Sequence, residues 1–297
     1  MSKVRGDSEV SVFGNTVRHA RWPSVWARDV LSFHADEKQI ELLDSDELDQ
    51  LVVWSRQTGK TETAAALVSH YAIHNEDTLT IITSATQRQG TIVTARIQAD
   101  LRLATGELAL WQKGKEYEVE ERDILGNVRI VRISVMSLTL SNGSSVIAIP
   151  PSPDSARGYA PNMVLIDEAA RTRDALWHAV SPMRAARRVR LIAMTTASAM
   201  EGWFYDLWQH DPDVAKSEYV AADCSRINAD FLAKEKRRLP EFIYLAEYEN
   251  KWFLPEDRAL DPELIRDMFS EDVQPMFDAP SIRPQRPSYM SDEVQPL

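Results

Sequence analysis

Short runs of apolar residues, each ending in polar residues, recur along this chain and predict buried strands. The runs are rich in β-branched side chains and occupy residues 51–54, 78–83, 163–166 and 189–194. Helical apolar spacing follows the first two runs, over residues 62–71 and 87–104. Strands that alternate with helices in this way are typical of an α/β protein with a mainly parallel sheet.

The other patterns predict β-hairpins at mid-chain and helices on either side of them. Runs on both sides of Gly126-Asn127 and of Asn142-Gly143 predict a β-rich insertion of two hairpins, residues 116–121 with 128–135 and residues 138–140 with 146–149. The last central strand is predicted at residues 219–222. Helical spacing occupies residues 22–43, 173–188 and 228–250, and Asn228 or Asp230 could cap the third of these stretches.

The first apolar run leads into a phosphate-binding pattern. Residues 55–61 read Ser-Arg-Gln-Thr-Gly-Lys-Thr and lie between a predicted strand and a predicted helix, the context that a P-loop requires. Gly59 would let the backbone approach a phosphate closely, Lys60 would supply a point charge, and Thr61 would offer a hydroxyl to Mg²⁺. The full pattern has a glycine at position 54, where this chain has Trp54. The alternative is a chance loop without a nucleotide.

Two carboxylates stand at the end of another buried run. Asp167 and Glu168 directly follow residues 163–166, and in open α/β sheets ligands bind at the carboxyl ends of the strands. Asp167 is placed to hold Mg²⁺, and Glu168 to orient or deprotonate an attacking water. The alternative is a strand that ends in a solvated acidic turn.

Two further features could belong to the same site. Thr195 and Thr196 follow the run 189–194 and could sense a γ-phosphate, although a simple polar turn would look the same. Gln39 precedes the first strand, and its amide could read the edge of an adenine, because it donates and accepts at once. A surface glutamine is the alternative for Gln39.

The charge balance limits the nucleic-acid functions that the chain could have. The 34 Lys and Arg residues against 45 Asp and Glu residues give a net charge of −11, which argues against coating nucleic acid with the whole surface. Local basic patches are not excluded. The two candidate clusters, which could also be solvated helix faces, are Arg184, Arg187, Arg188 and Arg190, and Lys234, Lys236, Arg237 and Arg238.

Cysteine usage and hydropathy predict a cytoplasmic protein without a membrane partner. The single cysteine, Cys224, excludes an intramolecular disulfide and a cysteine-based zinc site, and we expect it to be a small buried side chain. The N-terminus lacks an apolar signal core, and no apolar run approaches the length of a membrane span.

The order of these motifs resembles that of phage terminase large subunits, the motors that pump viral DNA into procapsids. Residues 55–61 look like the family's P-loop, and residues 164–169 resemble its Walker B strand. Residues 195–198 resemble its coupling motif, and residues 247–253 resemble the segment that closes its ATPase domain. The likeness spans about residues 35–255.

The resemblance implies a P-loop NTPase fold of the ASCE, or RecA-like, type. This fold has a mainly parallel central sheet flanked by helices, with a β-hairpin insertion and a small helical C-terminal subdomain. The implied activity is hydrolysis of ATP with Mg²⁺, coupled to translocation of double-stranded DNA in the host cytoplasm. The implied partners are DNA, the portal protein, the terminase small subunit and further copies of the chain in a homo-oligomeric ring.

The resemblance also assigns roles to individual residues. Arg157, in a segment similar to the family's Arg-Gly segment, would be a finger that reaches the ATP of a neighbouring subunit, with a structural salt bridge as the alternative. Arg56 is the competing candidate, acting in cis. Glu168 and Lys60 would complete the catalytic set, and Thr61 and Asp167 would hold the metal. The nucleotide contacts would come from Gln39, Ser55, Arg56, Gln57, Thr58, Gly59, Lys60, Thr61, Thr195 and Thr196.

The predicted organisation has four parts. A partly helical extension covers residues 1–34, the P-loop ATPase core 35–225, a helical lid or linker 226–269, and a proline-rich disordered tail 270–297. Family members continue into an RNase H-like nuclease domain, whereas Asp257, Asp261 and Asp267 are spaced like ordinary helix-surface acids. We therefore expect no DNA cleavage by this chain: either the nuclease is supplied as a separate subunit, or this is a truncated or single-domain version of the family.

Two other functions compete with the packaging motor. One is a helicase-like or repair ATPase of the same P-loop class. The other is a catalytically idle nucleotide-binding or assembly module, which Trp54 at the first-glycine position favours. Intact Lys60, Asp167 and Glu168 argue against the idle module.

Overall fold

A nine-stranded sheet forms the centre of the computed structural model, which describes residues 17–106, 117–118, 128–185 and 188–255 of the chain. The strand order is β3-β4-β5-β6-β2-β7-β8-β1-β9. The strands are β1 Asp49–Trp54, β2 Leu79–Ser84, β3 Tyr117–Glu118, β4 Ile130–Ile133, β5 Ser137–Leu140, β6 Ser145–Ala148, β7 Met163–Asp167, β8 Arg190–Thr195 and β9 Ala215–Tyr219.

The sheet is parallel from β6 to β9 and antiparallel from β3 to β6. The predicted hairpin insertion is therefore not a separate layer, because β6 pairs in parallel with β2 and continues the central sheet. The second hairpin turns at Gly143, whose φ is 83°. A Cβ at this position would collide with the Asp77 carboxylate, which explains the glycine in this turn. The first predicted turn, residues 126–127, lies outside the described residues.

Helices cover both faces of the sheet. They span Pro23–Leu31, Glu37–Leu43, Lys60–His74, Gln87–Thr105, Pro153–Ala156, Asp174–Val180, Gly202–His210, Ala229–Arg238 and Glu241–Glu249, with 3₁₀ turns at Ala169–Arg171, Ser181–Arg184 and Ala221–Asp223. Alternation along β1 sends Val52 and Trp54 into the core beneath the four helices up to residue 105. Leu51 and Val53 face the opposite core. The predicted α/β class with a mainly parallel sheet is confirmed.

The last predicted strand is wrong in both extent and place. The observed strand is Ala215–Tyr219, which lies at the edge of the sheet beside β1, and a 3₁₀ turn occupies Ala221–Asp223. Lys216 and Glu218 are exposed on this edge strand, so its sequence lacks the apolar run of a central strand. Because apolar residues follow this strand, its start was predicted four residues too late, at residue 219 and not at residue 215.

The predicted C-terminal helix is two helices. Leu239 has ψ 149°, which ends the helix Ala229–Arg238, and Pro240 precedes the helix Glu241–Glu249. A proline disfavours helical geometry in the residue before it, so the break follows directly from the sequence. Asn228 is the N-cap, since its side chain accepts a hydrogen bond from the Asp230 amide at 2.7 Å.

The first basic cluster is not a free basic surface. Arg184 donates to the Asp49 carboxylate. Arg190 is largely buried, and its guanidinium donates to the Ser45 carbonyl at 2.8 Å and to the Gln50 side chain at 2.9 Å. Residues 186 and 187 lie outside the described part. The structure also buries Cys224, as predicted.

The four-part division of the chain stays a prediction, and its proline-rich tail lies outside the described residues. Asp257, Asp261 and Asp267 lie outside them as well. Within the described ranges, no helix is long and apolar enough to cross a bilayer.

We expect His70 to make stability depend on pH. The His70 Nε2 donates to the His19 carbonyl at 2.8 Å, and its ring stacks on that of His74 with 4.2 Å between the ring centroids. Burial lowers the pKa of His70 from 6.5 to about 4. Its folded pKa lies below its unfolded pKa, so its contribution is complete above pH 6.5 and is lost as the pH falls toward 4. The loss is at most roughly 3 kcal/mol.

The measurement is urea unfolding of wild type and His70→Gln between pH 4 and 8. Burial raises the pKa of Asp100 to about 7, which works in the opposite direction, so the difference between the two proteins isolates His70. The stability advantage of wild type should shrink as the pH falls. A difference that is independent of pH would contradict this account.

Candidate functional site

Three neighbouring parallel strands bring the predicted motifs to one edge of the sheet. In the β7-β8-β1 ladder, Asp167 pairs with Met194, which pairs with Val52. The carboxyl ends of these strands therefore lie side by side, with the tip of β8 between the tips of β1 and β7. This is the edge at which α/β sheets bind ligands.

The loop after β1 has the backbone geometry of an anion site. Gln57 and Gly59 have positive φ values of 63° and 91°, and Gly59 is the N-cap of the helix Lys60–His74. A Cβ at Gly59 would collide with the Gln39 amide, so a larger residue does not fit. The Thr58 hydroxyl donates to the Ser55 carbonyl at 2.7 Å. Free amides at the start of this helix favour a bound anion.

Lys60 is held inside the loop that it follows. Its Nζ donates to the Trp54 carbonyl at 2.6 Å and to the Ser55 carbonyl at 3.1 Å. Burial lowers the pKa of Lys60 to about 8, and the charges of Glu168 and Asp167 oppose this shift. The ammonium therefore remains the dominant form at neutral pH, and its third N–H is available to a ligand.

Trp54 does not disturb the loop. It is the last residue of β1, its side chain is fully buried, and its Nε1 donates to the Ser217 hydroxyl at 2.9 Å. Its ring meets the edge of Tyr219 at 5.5 Å between centroids. Only the carbonyl of Trp54 contacts Lys60, so the large side chain at the first-glycine position lies in the core and away from the loop.

The two predicted carboxylates lie at the tip of β7. Burial raises the pKa of Asp167 to about 6; the Glu168 charge adds to the shift and Lys60 opposes it. Glu168 has φ 52°, an uncommon left-handed conformation that turns the chain sharply after the strand. Its Oε2 is buried without a hydrogen-bond partner among the described residues and lies 3.6 Å from the Arg171 guanidinium. At that distance the carboxylate and the guanidinium form an ion pair but no hydrogen bond.

Thr195 and Thr196 are both buried at the tip of β8. The Thr195 hydroxyl donates to the Thr196 carbonyl at 2.8 Å, and the Thr196 hydroxyl accepts from Arg171 at 3.4 Å. The predicted polar turn thus lies between the P-loop and the carboxylates.

The structure places Gln39 beneath the P-loop. Its Oε1 accepts from the Asp36 amide and its Nε2 donates to the Thr58 carbonyl, both at 3.0 Å. The amide groups that were predicted to read an adenine are thus engaged with the chain itself. Arg226 joins them, since it donates to the Thr58 carbonyl at 2.9 Å and pairs with Asp36 at 2.7 Å. Sequence reasoning missed Arg226, which belongs to no motif.

The two candidate arginine fingers both have exposed side chains. The Arg157 side chain is 71% exposed and pairs with Asp154 at 3.2 Å. Arg56 is 61% exposed, 3.7 Å from Glu247. Among the described residues, neither has an ion pair with Asp167 or Glu168.

The end of the last described helix, with the asparagine that directly follows it, holds the start of the P-loop. The Arg56 amide donates to the Glu247 carbonyl at 2.8 Å. The Ser55 hydroxyl donates to Asn250 Oδ1 at 2.9 Å, and Asn250 Nδ2 donates to the Val53 carbonyl at 3.0 Å. Asn250 has φ 55° and is buried. Its role was not predicted, although an asparagine directly after a helix is a known C-terminal signal.

Comparison with known proteins gives one family for this chain. The model described as "Terminase large subunit, T4likevirus-type, N-terminal" matches residues 51–267. The Thermus phage P74-26 large terminase ATPase domain is similar in fold, with a TM-score of 0.62 and 18% identity over 78% of this chain and 99% of that chain. These values confirm the predicted P-loop NTPase fold.

Two longer proteins share the same fold. The large terminase of a thermophilic bacteriophage in complex with ADP has a TM-score of 0.56 and 13% identity over 73% of this chain and 53% of that chain. The HK97 bacteriophage large terminase has a TM-score of 0.54 and 15% identity over 74% of this chain and 51% of that chain. This chain matches about half the length of each.

Replacing Asn250 should loosen the P-loop. Asn250→Gly keeps the left-handed backbone but leaves the Val53 carbonyl and the Ser55 hydroxyl without their partner, which should lower the free energy of unfolding by roughly 1–3 kcal/mol. Asn250→Ala should lose a further ~1 kcal/mol because alanine resists this conformation. Urea unfolding measures both. A glycine variant as stable as wild type would show that this side chain does not hold the loop.

Proposed function

Because this chain belongs to the family of terminase large subunits, we propose that it is the ATP-hydrolysing motor domain that drives double-stranded DNA into a procapsid. The observation that carries the proposal is the alignment of three strand tips, which sets buried Lys60 opposite Asp167 and Glu168 with Thr195 between them. This arrangement supports phosphoryl transfer to water, a reaction that needs positioning and charge stabilisation more than covalent chemistry.

The P-loop would bind the polyphosphate of ATP. The amides of residues 57–60 and the start of the following helix would surround the phosphates, and Lys60 would neutralise the β- and γ-oxygens. Ser55 and Thr58 support this role indirectly, since their hydroxyls are bonded to Asn250 and to the loop itself and fix its shape.

The residues at the site fit a magnesium ion. Thr61 and Asp167 provide hydroxyl and carboxylate oxygens, which Mg²⁺ prefers together with phosphate oxygens and water. Burial disfavours ionisation of Asp167, so a cation beside it would stabilise the charged form. When bound, Mg²⁺ would offset negative charge on the β- and γ-phosphate oxygens. In the described residues no group of three or more His, Cys, Asp or Glu side chains could hold a metal ion.

Glu168 would act on the attacking water. Its buried Oε2 lacks a hydrogen-bond partner within the described part, so it is free to accept one from water. The water oxygen would bond to the γ-phosphorus while the bond from that phosphorus to the bridging oxygen breaks. Glu168 would accept the proton, and ADP and phosphate would leave. Thr195 and Thr196 would lose their phosphate neighbour at that moment.

Arg157 would stabilise the transition state from a neighbouring subunit. Its side chain is 71% exposed and therefore accessible to a neighbouring subunit, as action in trans requires. Arg56 is the cis candidate and would have to leave Glu247 to reach the phosphates. A finger of this kind can be worth ~10³–10⁵ in rate.

The wider assembly follows from the family. Proposed partners are double-stranded DNA, the portal protein, the terminase small subunit and other copies of the chain in a ring.

The position of Trp54 weakens the main argument for a catalytically idle nucleotide-binding module. Trp54 was the reason to consider it, yet the Trp54 side chain lies in the sheet core and leaves Lys60 in place. A helicase-like ATPase would share the same site, and strand-separation assays on forked DNA distinguish it from a packaging motor.

The test is ATP turnover with and without linear duplex DNA. Lys60→Ala and Glu168→Ala should each lower turnover by roughly 10²-fold or more, because they remove phosphate binding and water activation. Lys216→Ala and Glu218→Ala, which make the same changes on the exposed edge strand β9, should leave turnover unchanged. Equal turnover in Lys60→Ala and wild type would exclude the proposed site.

Mixing inactive subunits tests whether Arg157 acts in trans. A mixture of Arg157→Ala and Lys60→Ala proteins should recover part of the turnover, because an intact Lys60 site can receive Arg157 from its neighbour. A mixture of Arg56→Ala and Lys60→Ala should stay inactive if Arg56 acts within its own site. Recovery in the second mixture and not in the first would assign the trans role to Arg56.

A further inference from the structure

Arg171 lies between two partly buried carboxylates at the edge of the proposed ATP site. Its guanidinium is 3.6 Å from Glu168 and 3.2 Å from Glu247, and it donates to the Thr196 hydroxyl at 3.4 Å. The two glutamate side chains are only 19% and 16% exposed. One arginine therefore connects the proposed base, the tip of β8 and the last helix.

The turn that carries Arg171 is rigid. Its amide donates to the Glu168 carbonyl at 2.9 Å, and the Thr172 hydroxyl donates to the Ala169 carbonyl at 2.7 Å. The Trp203 indole in turn donates to Thr172 at 2.9 Å. These bonds hold the backbone that follows Glu168, and the β7 ladder holds the backbone that precedes it, so the remaining freedom belongs to its side chain.

Charge explains why an arginine is needed here. Glu168 and Glu247 each keep one carboxylate oxygen that is buried without a hydrogen bond in the described part of the chain. A buried carboxylate requires a nearby positive charge or a hydrogen bond. The guanidinium supplies the charge to both, and its planar fork spans two partners in a way that a lysine does not.

We propose that Arg171 is a positioning residue for Glu168, and that Glu247 and Thr196 hold Arg171 in place. This inference rests on the proposed function, because it assumes that Glu168 acts on water. Arg171 touches neither nucleotide nor water in this role. It sets the direction of the Glu168 carboxylate relative to the attacking water.

Kinetics of Arg171 variants test the proposal. Arg171→Gln should lower kcat by roughly 10–100-fold with KM for ATP and the affinity for ADP within about twofold, since misplacing a catalytic group affects the chemical step and not binding. The kcat of Arg171→Lys should lie between those of Arg171→Gln and wild type. Arg173→Gln removes the same charge two residues away at an exposed position and should behave like wild type.

A double-mutant cycle separates positioning from simple structural support. Glu247→Gln removes the anchor and should lower kcat less than Arg171→Gln does. The double variant should be no slower than Arg171→Gln alone, because both changes act through one path. Urea unfolding of every variant shows whether the kinetic losses follow stability.

Three results would overturn the inference. A normal kcat in Arg171→Gln would contradict the inference. A defect confined to KM or to the free energy of unfolding would also contradict it. Additive losses in the double variant would show that Glu247 does not act through Arg171. Glu168→Ala in the same assay distinguishes failure of this inference from failure of the proposed function. If Glu168→Ala turns over ATP normally, or if wild type does not turn over ATP at all, the proposed function fails and this inference fails with it.

Discussion

A buried ammonium is the constraint on which this structure depends. Removing a lysine charge from water is unfavourable unless oxygen atoms replace the lost solvation. Here two carbonyls of the chain do so, those of Trp54 and Ser55, and the carboxylates of Asp167 and Glu168 add negative charge from β7. The pKa of about 8 for Lys60 shows that this compensation is incomplete. A polyphosphate would supply the missing negative charge. The buried ammonium that destabilises the fold therefore also favours binding of an anion at this site.

The order of strands makes this arrangement possible. Because β8 lies between β1 and β7, the P-loop and the carboxylates follow strands that are not direct neighbours. Buried Thr195 and Thr196 lie at the tip of β8, between these two groups of residues. The parallel direction of all three strands is essential, since an antiparallel β8 would place its polar tip at the other edge.

Sequence reasoning succeeded where the chemistry is local and failed where it is not. The P-loop and the acidic strand end were readable because strand, loop and helix follow one another within a few residues. Arg226 and Asn250 were not, because their contacts join positions 168 and 195 residues apart. The edge strand β9 was missed because its outward residues are polar. The proline break at position 240 could have been predicted, since proline restricts its predecessor wherever it occurs.

The clamp between the P-loop and the segment 247–250 has a consequence for biosynthesis. A ribosome makes Ser55 long before Asn250, and the hydrogen bond between them spans 195 residues. A nascent chain that ends before residue 247 therefore has the signature loop but none of the three bonds that fix its first residues. Closing a loop of this length also carries an entropic penalty that only the packed sheet offsets. This clamp can therefore form only after residue 250 has been synthesised.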